Sequence, residues 1–221
     1  MTRTDITRLR DKASSDRTEL DRLLDTTHVG HVGLAAADGH PMVVPTAVAR
    51  DGDTVLLHGS TGSPWLRRVA SGAPVSVAVT VTDGLVIARS AFESSIHYRS
   101  AVLFGRCAPL SGPAKERALD VLTEALLPGR RAELRRPTPA ELAATLVLGL
   151  PIVEWSLKIS DGWPEDPPED VAGNAWAGVV PQRIGYGAPR PAPDLRSGIA
   201  LPASVRQLAA RGETQSAGPN R

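Results

Sequence analysis

The sequence predicts a mainly β domain: a closed or partly closed antiparallel barrel with peripheral helices. Short β-rich segments follow one another from residue 28 onwards, Asp-Gly pairs separate several of them, and helical segments lie around them. Consecutive strands joined by tight turns are antiparallel, because a parallel pair needs a long crossover connection. About seven such strands with three or four helices are typical of a barrel.

The first elements are a helix over residues 15–25 and a three-stranded meander. Asp16 and Glu19 have the spacing of a capping box, and three leucines then mark one apolar face of the helix. Strands follow over residues 28–36, 41–50 and 54–58, with Asp-Gly turns after the first two.

Shorter signals define the remaining elements. Ser63 and Pro64 predict the start of a short helix over residues 65–71. We expect a hairpin of residues 75–81 and 85–91 that turns at Asp83-Gly84, and a sixth strand over about residues 97–107. Two helices, over residues 113–127 and from Thr138 to about Leu148, precede an alternating strand over residues 152–161.

Composition divides the chain into a body that ends at about residue 160 and an arm, residues 161–221. The arm holds 17 of the 39 glycine and proline residues, a share typical of irregular structure. It also has several large apolar anchors, among them Trp163, Trp176 and Tyr186. We therefore expect it to pack as an extended strap on the body or on a partner subunit, with only the last dozen residues flexible.

Several function classes receive no support from the composition. The net charge of +1 gives no reason to expect nucleic-acid or membrane binding. No apolar run reaches the length of a membrane span, no signal peptide is evident, and the single cysteine, Cys107, excludes an internal disulfide. These features predict a cytoplasmic protein. His28, His31 and His40 lack the spacing of metal ligands, so we expect no metal site of that kind.

A Gly/Ser/Thr loop between the third strand and the short helix is a candidate anion site. Small residues let backbone N–H groups approach an anion, and the helix N-terminus adds partial positive charge. The candidate hydroxyl donors are Ser60, Thr61 and Ser63, with Arg67 and Arg68 in the following turn. A phosphate is the expected ligand; an ordinary capped turn is the alternative interpretation.

A second polar group lies where the sixth strand begins. On a strand, His97 and Arg99 share one face, and Tyr98 and Ser100 share the other. Polar side chains in the middle of a chain need partners, which a ligand, solvent or a subunit interface supplies.

Four motifs resemble the pyridoxamine 5′-phosphate oxidase-related family of FMN-binding split barrels. They are residues 29–34 (VGHVGL), 41–47 (PMVVPTA), 57–63 (LHGSTGS) and 98–105 (YRSAVLFG). The sequence is most similar to the branch of flavin-nucleotide-binding proteins related to nitroimidazole-resistance reductases. The resemblance covers about residues 10–160.

The resemblance implies a homodimer that binds FMN in clefts between its subunits. It places the flavin ring along the second strand, near Val44, Pro45, Thr46 and Ala47. It places the phosphate at His58, Ser60, Thr61 and Ser63, flanked by Trp65, with Tyr98, Arg99 and Ser100 on the nearby sixth strand. A basic residue often follows the loop glycine in such sequences; this chain has Ser63-Pro64 there. Either an arginine (Arg67, Arg68 or Arg99) supplies the countercharge, or FMN binds less tightly.

The same resemblance implies an FMN-dependent oxidoreductase that acts on a small molecule with a nicotinamide or another reductant. The chemistry would then belong to the flavin, and no catalytic residue is assigned. Three alternatives stay open: a flavin carrier without turnover, a haem-binding relative with His58 or His97 as ligand, and a deazaflavin-binding relative.

Overall fold

The computed structural model describes residues 2–216 of the chain. The strands are β1 (Ala13–Ser14), β2 (Val29–Ala35), β3 (Pro41–Asp51), β4 (Thr54–Ser60), β5 (Pro74–Ile87), β6 (Ser95–Arg106), β7 (Ala108–Pro109), β8 (Thr145–Pro151), β9 (Glu154–Ser160) and β10 (Gly178–Pro181). The α-helices are α1 (Arg17–Thr26), α2 (Pro64–Ala70), α3 (Gly112–Leu126), α4 (Pro139–Ala144), α5 (Pro168–Val171) and α6 (Ala203–Ser216).

The strands form one antiparallel sheet in the order β1-β9-β6-β5-β2-β3-β4-β8-β7, with β10 added to β5. The sheet curls until β6 and β8 face each other. A Cβ added at Gly105 of β6 would lie 2.9 Å from Leu150 Cδ1 of β8. This partly closed barrel with helices outside it confirms the predicted fold class.

The barrel interior is filled by side chains that alternate along each strand. Val32, Leu57 and Leu103 are fully buried there, and three leucines of α1, Leu20, Leu23 and Leu24, join the same core. Because α1 supplies part of the core, the helix closes the barrel rather than lying on its surface.

A second layer lies outside the barrel, where α3 covers β3, β4 and β8. Ala49, Leu56 and Val147 point outward from these strands and pack against Ala118 and Leu122 of α3. Successive side chains of a strand alternate between its faces, so His58, two residues after Leu56, lies on this outer face too.

The predicted hairpin at Asp83-Gly84 is wrong. Residues 74–87 form one long strand with a bulge between Thr82 and Gly84, and the chain turns later, over residues 88–94. The Asp83 carboxylate accepts two hydrogen bonds of 2.8 Å from the Arg99 guanidinium of β6. An Asp-Gly pair therefore marks a bulge here, since its polar side chain has a cross-strand partner.

Two helix predictions also need correction. The capping box at Thr138 and Glu141 is present, but α4 ends at Ala144, and residues 145–151 form β8. Leu148 is fully buried and pairs with Leu57, so burial in the barrel overrides the helical pattern. At α1, Asp16 caps the helix, whereas Glu19 accepts a hydrogen bond from Ser14 Oγ.

The arm contacts the body at several points. The buried Asp166 carboxylate accepts hydrogen bonds from Arg89 N (2.7 Å) and Arg89 Nη1 (2.9 Å). Strand β10 extends the sheet beside β5, and Ser204 of α6 is bound to Glu133. The flexible terminus predicted from about Ala210 stays a prediction: α6 runs to Ser216, and residues 217–221 lie outside the described part.

No helix within residues 2–216 is long and apolar enough to cross a membrane.

Candidate functional site

The most unusual polar side chain of the structure is His58, near the end of β4. Its Nδ1 is buried and has no hydrogen-bond partner among the described residues. Burial lowers the pKa of the imidazole from its ordinary 6.5, because desolvation disfavours the charged form. His58 therefore presents a neutral ring with an unused buried nitrogen, the form in which histidine binds a metal.

His58 lies at an apolar cleft of about 440 Å³ on the outer face of the barrel. The cleft is enclosed by α3, the connection between α3 and α4, α4 and the start of β8. Its other lining residues are Leu119, Leu122, Thr123, Leu126, Leu134, Arg135, Pro137, Glu141, Leu142 and Thr145. Most of this lining is aliphatic, as in pockets that hold an organic cofactor.

Two charged side chains of the cleft form an ion pair with each other. Arg135 donates to the Glu141 carboxylate through Nη1 (2.8 Å) and Nη2 (2.5 Å). Glu141 also accepts a hydrogen bond of 2.8 Å from Thr138 N, as part of the α4 capping box. The hydrogen bond from Arg135, followed by that from Thr138, lowers the pKa of Glu141 to about 2, so its carboxylate is ionised at neutral pH.

The predicted phosphate loop is closed by its own hydrogen bonds. Thr61 N donates to Ala144 O (2.9 Å), Gly62 N to Ser60 Oγ (3.1 Å) and Ser63 N to Ser60 O (3.0 Å). Ser63 precedes α2 without a side-chain cap bond, and Arg67 is exposed on the helix. Three successive amides are thus occupied, and phosphate binding through the loop hydroxyls or Arg67 stays a prediction.

The residues predicted to contact a flavin ring alternate between the two faces of β3. Val44 pairs with the buried Val32, so Val44 and Thr46 face inward and are half-buried. Pro45 and Ala47 face outward. The outward face of β2 and β3 is open and mostly apolar: Val29 is 51% exposed and Val43 65% exposed, and His31 is exposed between them.

Trp65, predicted to flank the phosphate, is half-buried and packs against the barrel core.

Tyr98, Arg99 and Ser100 are not brought to this surface. They lie on β6, which β5 and β2 separate from β3. Ser100 Oγ accepts from Thr80 Oγ1 (3.1 Å), and the bond from Arg99 to Asp83 raises the pKa of that arginine. Arg99 is thus already paired within the chain, and Arg67 is the freer countercharge.

The other histidine considered as a haem ligand, His97, is hydrogen-bonded through Nε2 to Gly162 O at 2.8 Å. Of these two, His58 is the one with an unsatisfied buried nitrogen. Within residues 2–216 no group of three or more His, Cys, Asp or Glu side chains could hold a metal ion. Burial raises the pKa of the Cys107 thiol to about 12, so this residue is an unreactive part of the core.

The cleft residues beyond His58 were not predicted from the sequence. Arg135 and Glu141 lie in a loop and a short helix without a recognisable binding motif. The available signal was the apolar stripe of α3, since Leu126, 46% exposed, extends the apolar face of the helix beyond Leu119 and Leu122, which pack on the barrel.

The fold and the site define a split barrel with an apolar cleft on its outer face, and His58 lines that cleft. The chain matches the family model described as pyridoxamine 5′-phosphate oxidase over residues 16–159, and it belongs to that family. The family resemblance seen in the sequence is thereby confirmed.

Two similar solved structures extend over nearly the whole chain. The FAD and heme binding protein from Mycobacterium smegmatis is 54% identical, with a TM-score of 0.86, covering 89% of this chain and 97% of that one. The flavocytochrome Anf3 from Azotobacter vinelandii is 34% identical, with a TM-score of 0.87, covering 94% and 97%.

A third structure shares the fold at lower identity. It belongs to a candidate 5-nitroimidazole antibiotic resistance protein from Bacteroides thetaiotaomicron, 18% identical with a TM-score of 0.56, covering 66% of this chain and 86% of that one. No curated protein matches the chain.

Proposed function

We propose that this protein binds a flavin and a haem, and that His58 would bind the haem iron in the cleft that it lines. The observation that carries the proposal is the imidazole of His58, which lines an apolar cleft and whose buried Nδ1 has no partner among the described residues. A buried polar atom without a partner is costly in a protein interior. A neutral imidazole can bind an iron ion through the lone pair of a ring nitrogen.

The residues present fit a haem. The cleft is within the usual volume of cofactor pockets, roughly 300–1,000 Å³, and leucines of α3 and the following connection supply an apolar wall for the macrocycle. Arg135 offers a cation to the acidic edge of such a ligand. The 54% and 34% identical proteins are described as a FAD and heme binding protein and a flavocytochrome.

The particular flavin is a second part of the proposal. The family resemblance implies FMN, whereas the name of the 54% identical protein gives FAD. We propose FAD, with the predicted residues of β3 and the loop after β4 as its contacts. The open apolar face of β2 and β3 supports a homodimer in which two such faces meet around the flavin.

Together, a bound flavin and a bound haem supply two-electron and one-electron redox chemistry in one protein. The proposed activity is therefore that of an oxidoreductase, with a small-molecule substrate and a nicotinamide as the candidate reductant. The chain's own contribution would be to hold His58 neutral and to position the cofactors.

Absorption spectroscopy of the purified protein, before and after titration with hemin, tests the haem site. We expect a Soret band in the wild type and in His97→Ala, and its loss in His58→Ala with unchanged circular dichroism. Wild-type haem content in His58→Ala would overturn the ligand assignment. A wild type that takes up neither hemin nor a flavin would overturn the proposed function.

Chromatography of the flavin released by denaturation identifies it. FAD supports the proposal, and FMN or a deazaflavin contradicts that part of it. Stopped-flow reduction by a nicotinamide, followed by reoxidation with candidate acceptors, separates an oxidoreductase from a carrier without turnover.

A further inference from the structure

We propose that Arg135 is the carboxylate anchor of the His58 cleft, and that Glu141 orients this arginine and competes with the carboxylate of the ligand. The inference rests on the proposed function and assigns a specificity to the site: an apolar macrocycle with free carboxylates, rather than any apolar molecule of similar size.

Charge singles out Arg135. Among the described residues that line the cleft it is the one arginine or lysine, and its side chain is 68% exposed at the rim. A ligand buried against the leucines would therefore meet this cation where its polar edge emerges. An exposed edge with carboxylates is what a porphyrin with propionate groups presents.

In the ion pair of Arg135 and Glu141, the guanidinium is oriented to bind a carboxylate. Nη1 and Nη2 of Arg135 each donate to a different oxygen of Glu141, at 2.8 and 2.5 Å. This fork-to-fork arrangement is specific to planar carboxylates and differs from the contact that a lysine makes. Glu141 thus occupies the position that a ligand carboxylate needs.

Exchange of one carboxylate for another is feasible at this position. The Glu141 side chain is 48% exposed, and exposed ion pairs are weak. Glu141 also keeps its hydrogen bond from Thr138 N, so its carboxylate has a partner after Arg135 turns to the ligand. A neutral residue at position 141 therefore leaves Arg135 available without exposing a new unsatisfied group.

The neighbouring Arg136 offers a matched control. It lies in the same connection with its side chain 71% exposed, it pairs with Asp120 at 3.1 Å, and it does not line the cleft. Arg136→Gln removes the same charge from the same segment without touching the proposed anchor.

The test is a titration of the full-length wild type, Arg135→Gln, Arg136→Gln and Glu141→Gln with two probes, hemin and hemin dimethyl ester. Binding is followed by the Soret band, and folding by circular dichroism. We expect Arg135→Gln to weaken hemin binding about fivefold and Glu141→Gln to strengthen it. Neither change should alter binding of the ester, and Arg136→Gln should match the wild type with both probes.

Equal hemin affinities of Arg135→Gln and Arg136→Gln, in a wild type that binds hemin, would overturn the anchor while leaving the proposed function intact. An equal loss with hemin and with its ester would overturn it too. Failure of the wild type to bind hemin would instead overturn the proposed function. If Arg135→Gln does not fold, Arg135→Lys replaces it and should show a smaller loss with hemin only, because lysine keeps the charge without the fork.

Discussion

Ser204 binds the carboxylate of Glu133 twice, through its backbone N–H at 3.1 Å and its hydroxyl at 2.6 Å. Ser204 is 3% exposed at the start of α6, and Glu133 immediately precedes Leu134 and Arg135 of the cleft. The two bonds from Ser204 are the main reason that the pKa of Glu133 is below its ordinary 4.5. Through this contact the C-terminal helix is fastened to the connection that encloses the His58 cleft.

Replacement of Ser204 by alanine should loosen both the helix and the cleft. Ser204→Ala removes the hydroxyl donor and leaves only the backbone bond to Glu133. We expect faster amide hydrogen exchange in α6 and in residues 130–135, and faster transfer of haem to an apo-globin acceptor. Ser197→Ala, at an exposed arm position, is the control. Exchange rates equal to those of the control would show that the Ser204 hydroxyl does not stabilise α6 or residues 130–135.

The attachment of β10 to β5 should depend on the absence of a side chain at Gly84. A Cβ there would lie 2.8 Å from Val180 O and 3.2 Å from Pro181 Cα. Both atoms are backbone, so the strand itself must move, and we expect Gly84→Ala to lower the free energy of unfolding by about 1–3 kcal/mol.

Gly162→Ala is the matched control for urea denaturation, since nothing lies within 4 Å of a Cβ at Gly162. Equal unfolding midpoints for the two variants would mean that β10 accommodates the added Cβ without a loss of stability.

The parts of the fold that sequence predicted well are those governed by local patterns. Strand alternation and glycine turns located β2, β3 and β4 to within a residue or two, and the capping box located the start of α4. Errors arose where tertiary contacts override the local preference. Asp83-Gly84 has the composition of a turn. In the structure it forms a bulge within a long strand, where the Asp83 carboxylate accepts a hydrogen bond from Arg99 of the neighbouring strand.

The same contrast between local patterns and tertiary contacts holds for the candidate site. His58 was a candidate from its position before the Gly/Ser loop, whereas the cleft around it was not foreseen. The cleft walls come from α3, the connection after it and α4, more than 60 residues away along the chain. No local pattern records that these segments meet at His58, because their approach is set by the packing of α3 on the outer face of the barrel.

Flavin affinity should depend on the hydroxyl groups of the loop after β4, if this loop contacts the cofactor. In the structure Thr61 Oγ1 donates to Ala144 O (3.2 Å) and Ser60 Oγ accepts from Gly62 N (3.1 Å). We expect the double variant Ser60→Ala/Thr61→Ala to bind flavin more weakly by fluorescence titration, by about tenfold.

The control for this titration is Ser111→Ala, at an exposed position before α3 where the hydroxyl makes no cap bond. Unchanged flavin affinity in the double variant would mean that the loop is only a turn.

The buried imidazole of His58 should make the stability of the haem-free protein depend on pH. Burial lowers the pKa of His58 in the folded chain below 6.5, while the unfolded chain titrates near that ordinary value. As the pH falls below 6.5, the unfolded state therefore binds a proton that the folded state does not. The free energy of unfolding consequently decreases as the pH falls from 6.5 to the folded pKa, and the contribution of His58 is fully present only above pH 6.5.

Urea denaturation of the haem-free protein at pH values on both sides of 6.5 measures this dependence. His58→Gln should flatten the stability profile below 6.5, because glutamine does not titrate. His97→Gln should keep the wild-type slope contributed by His58, since its ring is not the buried one. If His58→Gln and the wild type lose stability in parallel, proton uptake at His58 is not the cause, and the imidazole is less buried than its surroundings indicate. A flattened profile would show that the folded chain keeps His58 neutral, as an iron ligand must be, before any haem is bound.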